Sequence, residues 1–220
     1  MNRKPANAKI RNSLRKMSAG RMVLVFRRTG TRRYVVEAHR ENWPDLEMNP
    51  APGFDPWIPH DLMHLVVEAQ LGLDDGIFGQ LAIGGDAGTF RPISSEKQPS
   101  RATTRLRRHQ QARGKSLLRG SRSACAQSER ATYLCWHEWL RRSGKLNAEV
   151  SRTMSRESKQ IKNISPAKEL ETLDAKRLES ICGHLDELSL VWSSLEVGES
   201  MSVSWPELSV SKLESVEQTC

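Results

Sequence analysis

An α+β fold is predicted, with a small antiparallel sheet packed against a layer of helices. Three observations predict it. Met22 to Phe26 is an apolar run with two β-branched residues, Arg32 to Ala38 holds Tyr34, Val35 and Val36, and Thr29-Gly30-Thr31 lies between them, which is the pattern of a β-hairpin. Leu195, Val197, Met201, Val203 and Trp205 alternate near the other end, as a strand does, and could pair with that hairpin. Between them lie stretches with helical periodicity, and at 220 residues the chain can form one sizeable domain.

Taken in order, residues 1–20 are polar and basic and read as a tail, with a short helix around Ala8 to Met17 as the alternative. The hairpin follows, with Arg27, Arg28, Arg32 and Arg33 near its turn. Such residues either grip phosphate or keep a hairpin tip soluble. Pro44, Pro50, Pro52 and Pro56 make Glu41 to Trp57 an irregular loop. Pro59 to Gln70 reads as a helix, with proline in its first turn and Gly72 as its stop. Asp74 and Asp75 suit the start of a second, short helix over Gly76 to Ile83, ended by the glycine-rich Gly84 to Thr89. That loop lacks the Gly-Lys-Ser/Thr of a nucleotide-binding P-loop.

Residues 92–124 form a basic linker or exposed basic helix. Ser128 to Arg142 is an amphipathic helix with Ala131, Leu134, Cys135 and Trp139 on its apolar face. Ser165-Pro166 opens a further helix running to about Trp192, its leucine stripe placed to pack on the Trp136/Trp139 helix. The core is therefore expected in residues 21–91 (hairpin, loop and histidine helix) and 125–206 (helical hairpin and strand), with 207–220 a polar tail.

The candidate site lies in Pro59-His60-Asp61-Leu62-Met63-His64-Leu65-Val66-Val67-Glu68. His60, His64 and Glu68 recur every four residues and share one face of the helix. Two histidines one turn apart can grip one divalent metal such as zinc. Glu68 lies eight residues from His60, about 12 Å along a straight helix, so it either ligates with His64 alone or steadies a histidine from behind. Asp86, His137 and Glu138 are candidates for a third ligand. Asp61 is the candidate catalytic group, placed to orient a metal-bound water. A polar cluster that serves only structure is the alternative, since buried histidines often hydrogen-bond to carboxylates.

The segments Met48-Asn49-Pro50-Ala51-Pro52-Gly53-Phe54-Asp55-Pro56, Pro59-His60-Asp61-x-x-His64-x-Val66-Val67-Glu68 and Gly76-Ile77-Phe78-Gly79-Gln80-Leu81-Ala82-x-Gly84-Gly85-Asp86-Ala87-Gly88-Thr89-Phe90 resemble a family of uncharacterised bacterial proteins. The resemblance spans roughly residues 22 to 90, with a further piece from Gly198 to Pro206. His60-Asp61-x-x-His64 alone is loosely similar to the His-Glu-x-x-His helix of zinc peptidases, which implies a metal-dependent hydrolase. Asp61 departs from that pattern: aspartate is one methylene shorter, and holds a water about 1 Å further back.

The net charge is +8, and the excess is concentrated. Residues 1 to 33 carry eleven Lys or Arg and no acid, and residues 101 to 123 carry eight and no acid. A nucleic-acid-binding or protein-interaction module, with structural histidines, is therefore the second reading. No aromatic is interleaved in the basic stretch 101–123 to stack on bases. The four cysteines form no Cys-x-x-Cys pair, which argues against a zinc knuckle. No run is long and apolar enough to span a membrane, no signal peptide is recognisable, and a cytoplasmic location is expected.

Overall fold

The computed structural model describes residues 20–52, 55, 57–93, 122–147 and 173–213, with single positions 104, 105, 108, 112, 114 and 117. Its sheet has six strands: β1 (Met22–Gly30), β2 (Arg33–Arg40), β3 (Leu46–Met48), β4 (Arg91–Pro92), β5 (Ser200–Trp205) and β6 (Val210–Leu213). Their order across the sheet is β4-β3-β2-β1-β5-β6, and every neighbouring pair is antiparallel. The hairpin and the later strand meet as the alternation requires. Leu24 lies opposite Ala38 on one side and Val203 on the other, and all three are fully buried. Met22, Leu24 and Phe26 of β1 and Met201, Val203 and Trp205 of β5 thus share one buried face.

Three strands depart from expectation. β3 forms inside the proline-rich loop, because Leu46 to Met48 is a proline-free stretch between Pro44 and Pro50 and can still pair with β2. β4 contains Pro92 and occupies an edge, where a missing N–H costs no ladder bond. β6 pairs with β5 over residues placed above in a polar tail. Val197 is correspondingly exposed and lies before the strand, which starts only at Ser200.

The helical layer comprises α1 (His60–Leu71), α2 (Ile77–Ala82), α3 (Arg122–Arg142) and α4 (Ala175–Ser193). α1 is central and packs against α2, α3 and α4. Every residue from Asp61 to Glu68 is buried, in keeping with a helix that is apolar nearly all round. Pro59 stands at its N-cap, and Gly72 ends it in the left-handed region at φ 65°. α3 and α4 join through the Trp139 indole, which donates to Asp186 at 2.8 Å. α4 begins at Ala175, capped by Asp174, whose carboxylate accepts from the Lys176 amide. Ser165-Pro166, the expected opening, lies outside the described residues, as does nearly all of the N-terminal basic segment. The expected linker includes helical positions, and buried Gly114 lies against Asp86: a Cβ at Gly114 would sit 2.5 Å from its Oδ1.

Candidate metal centre

The site is built where α1 faces α3. One helical turn brings the His60 and His64 imidazoles together, with their Nε2 atoms 3.1 Å apart. Glu129, from the first half of α3, brings a carboxylate oxygen to 3.5 Å from His64 Nε2. Among the described residues these three side chains form a group whose ligand atoms all lie within 4.8 Å of one another, a group that could hold a metal ion. The separations suit one. Ligand atoms on a tetrahedral ion with bonds of about 2.0–2.1 Å stand ~3.3 Å apart.

A hydrogen-bonded chain fixes His64 from behind. The Ser128 hydroxyl donates to Glu68 Oε1 at 2.6 Å, and Ser128 Oγ stands 3.1 Å from His64 Nδ1. Serine has one proton to give. The shorter contact to the carboxylate takes it, so His64 Nδ1–H donates to Ser128 Oγ, with Thr132 Oγ1 as a second acceptor at 3.2 Å. A neutral His64 then carries its lone pair on Nε2, aimed at His60 and Glu129. This is the arrangement by which metal-binding histidines are usually oriented.

Glu68 itself is fully buried, and its carboxylate serves two elements. Oε1 accepts from the Ile77 amide at 2.9 Å and Oε2 from the Phe78 amide at 2.8 Å. Glu68 thus caps the start of α2, the place assigned above to Asp74 and Asp75. Gly76 is glycine because the carboxylate occupies the space a side chain would need: a Cβ there would lie 2.3 Å from Glu68 Cδ. Burial pushes the Glu68 pKa up, opposed by Ser128, His64 and the two amides. All the hydrogen-bonding partners are donors, which suits the ionised carboxylate.

The electrostatics favour a cation between the imidazoles. Burial, helped by the charge on His64, lowers His60 to about 4, so His60 is neutral at pH 7. Burial also works against a charged His64, but Glu129, then Glu68 and Asp61, outweigh it and hold its pKa above the usual value. Glu129 is held below the usual carboxylate range by the same pairing. Three lone-pair-bearing atoms converge here, and a positive charge, either a proton or a metal ion, must stand among them. The Glu129 side chain is 52% exposed, so the group opens to solvent on that side.

The other sequence candidates lie elsewhere. Asp61 does not join the group. One residue on from His60 the helix has turned through about 100°, and the Asp61 carboxylate meets the Tyr34 hydroxyl at 2.5 Å in the core. Tyr34 also stands 3.0 Å from the Pro52 carbonyl. The Tyr34 hydroxyl is the donor towards both acceptors. Burial pushes Asp61 to about 6 and raises Tyr34 as well. Asp86 accepts from the Gly88 amide at 3.0 Å, within its own turn, and faces Gly114. Glu138 is clamped by Arg141 and Arg142, whose N–H groups reach it at 2.6–2.8 Å. The Nδ1 atom of His137 is buried without a partner among the described residues, and His137 is not part of the His60–His64–Glu129 group.

Sequence reasoning missed Glu129. A signal existed in its neighbours. Ser128 and Thr132 continue, one turn apart, the buried stripe of Cys135 and Trp139, and so put two hydroxyls on an otherwise apolar helix face.

No protein-family model, curated protein or solved structure matches the chain. Among the described residues no helix is long and apolar enough to cross a membrane.

Proposed function

We propose that the protein is a metal-binding domain in which His60, His64 and Glu129 hold one zinc-like divalent ion. The convergence of two imidazole Nε2 atoms and a carboxylate, with His64 held from behind by Ser128 and Glu68, carries this reading. Two nitrogens and one oxygen suit zinc, and a three-ligand set open to solvent is the pattern of sites that keep a position for water. A bound ion of that kind lowers the pKa of its water and supplies a nucleophile, so the proposal extends to a metal-dependent hydrolase. Asp61 is not the base in this proposal, because its carboxylate is committed to Tyr34.

The test is metal content of the purified, untagged chain by mass spectrometry, beside a His60→Ala/His64→Ala variant. About one zinc, manganese or iron per chain, lost in the variant, supports the metal reading. Screening that metal-loaded protein against ester, amide and peptide substrates tests the hydrolase reading. No metal after reconstitution, with the variant merely less stable, makes the histidines structural.

A further inference from the structure

A second site lies at the tip of the β1–β2 hairpin. A cavity of about 210 Å³ is lined there by Arg28, Arg32, Arg33, Tyr34, Asp55 and Trp192. The backbone explains how three arginines reach one cavity. Arg28 pairs with Tyr34 and Gly30 with Arg33, so Thr29 is an extra residue on β1, a bulge. Bulges break strict alternation and re-aim side chains. Arg33 and its neighbour Tyr34 would otherwise face opposite sides of the sheet, yet both line the cavity.

Part of the wall is held in place. The Arg28 guanidinium lies over the Trp192 ring, 5.6 Å from its centroid, and donates from Nη1 to the Leu195 carbonyl at 2.8 Å. Tyr34 and Trp192 meet edge to face at 6.0 Å. Asp55 is held by the Trp57 and Ile58 amides, which both donate to its Oδ1. Arg32 and Arg33 are exposed, and with the half-buried Arg28 they line one concavity with Tyr34 and Trp192.

We infer that this cavity is a binding site for a small phosphomonoester. The four charged residues that line the cavity, three arginines and one aspartate, sum to a formal charge of +2, which favours a phosphomonoester dianion over a monocarboxylate. Arginine donors in a planar fork match phosphate oxygens. Tyr34 and Trp192 give the organic part of the ligand an apolar wall, and the volume limits that part to a single ring or a short chain. None of the three metal ligands lines the cavity, although Pro59, which precedes His60, does.

The test is calorimetric titration of the full chain with phenyl phosphate, inorganic phosphate and benzoate at fixed ionic strength. Arg32→Gln/Arg33→Gln is the test variant, as both residues are exposed and their loss leaves the core intact. Lys176→Gln/Arg177→Gln, exposed at the start of α4 and about 24 Å along that helix from Trp192, matches its charge change. Saturable binding of phenyl phosphate near one per chain is expected, tighter than benzoate. The hairpin variant should weaken it about tenfold or more, and the α4 variant and His60→Ala/His64→Ala should leave it within twofold. Absence of saturable binding, benzoate binding equally well, or equal losses in both charge variants would overturn the assignment. So would loss in the histidine variant, which would place the anion at the metal group.

Discussion

Replacing Ser128 by alanine removes one hydroxyl that makes two contacts, and the two should be separable by experiment. The first contact is the 2.6 Å bond to Glu68 Oε1, a buried bond to a charged acceptor. Such bonds contribute roughly 1.5–3 kcal/mol. The loss is not larger, because Oε1 keeps the Ile77 amide at 2.9 Å. Metal-free Ser128→Ala should therefore unfold in guanidinium with about 1.5–3 kcal/mol less stability than the parent. The second contact is the one that orients His64, at 3.1 Å from Nδ1. Thr132 alone then holds the imidazole, at 3.2 Å. Loss of such a supporting contact typically weakens metal binding 10- to 100-fold. At a zinc concentration a hundred times the parent's Kd, zinc should stabilise the parent by about 2.7 kcal/mol. The variant, at the same concentration, should gain only ~1.4 kcal/mol if its affinity falls tenfold, and ~0.4 kcal/mol if it falls a hundredfold. Chemical unfolding with and without zinc reads both quantities from one set of curves. An equal zinc-induced gain in parent and variant would refute the orienting role of Ser128, whatever happened to the metal-free stability.

Three further outcomes follow from the same geometry. Gly76→Ala drives a methyl into Glu68, 2.3 Å from its Cδ, and should cost about 1–3 kcal/mol while weakening zinc binding. Gly72→Ala, in the left-handed region with open space around it, should cost about 1–2 kcal/mol and leave zinc affinity unchanged; calorimetric titration of both variants makes the comparison. Asp61 holds its proton up to about pH 6 in the folded protein against an ordinary value of 3.8. At this group the native state therefore binds more protons than the unfolded chain, and the contribution of Asp61 to metal-free stability should fall as pH rises from about 4 through about 6, by up to roughly 3 kcal/mol, against the opposite trend of His60, which burial holds at about 4. Asp61→Asn should remove that fall, and an unaltered pH profile would contradict it. Glu138 is pulled down to about 2 by Arg141 and Arg142, so its contribution is present above about 4.5 and is lost as pH falls through about 2. The arginines are 59% and 40% exposed, and screening limits Glu138→Gln to roughly 1 kcal/mol at neutral pH, measurable as a difference in Tm that closes in acid.

The sequence made His60 and His64 legible because helical spacing alone puts them on one face. Glu129 was not legible, since it lies 65 positions beyond His64 on a helix whose charged residues look like ordinary solvated ones. Only the packing of α1 on α3 brings it to the imidazoles. Glu68 shared the histidine stripe, but periodicity could not show that its carboxylate would turn away to cap α2. What reveals that use is Gly76, read in three dimensions. Asp61 was assigned by analogy with the peptidase helix. Its direction was set instead by Tyr34 on the sheet, a partner that no local pattern names. The central sheet strands could be read from alternation, whereas β3, β4 and β6 could not. They are two to four residues long and lie towards or at the sheet edges, and edge pairing depends on neighbours more than on the composition of the strand.

X-ray absorption at the zinc edge of the loaded protein tests the central claim most directly. The account predicts one zinc per chain with two imidazole nitrogens and oxygen neighbours at about 2.0–2.2 Å, and loss of one imidazole in His60→Ala or in His64→Ala. A spectrum dominated by sulfur at about 2.3 Å, or one unchanged by either histidine substitution, would contradict it.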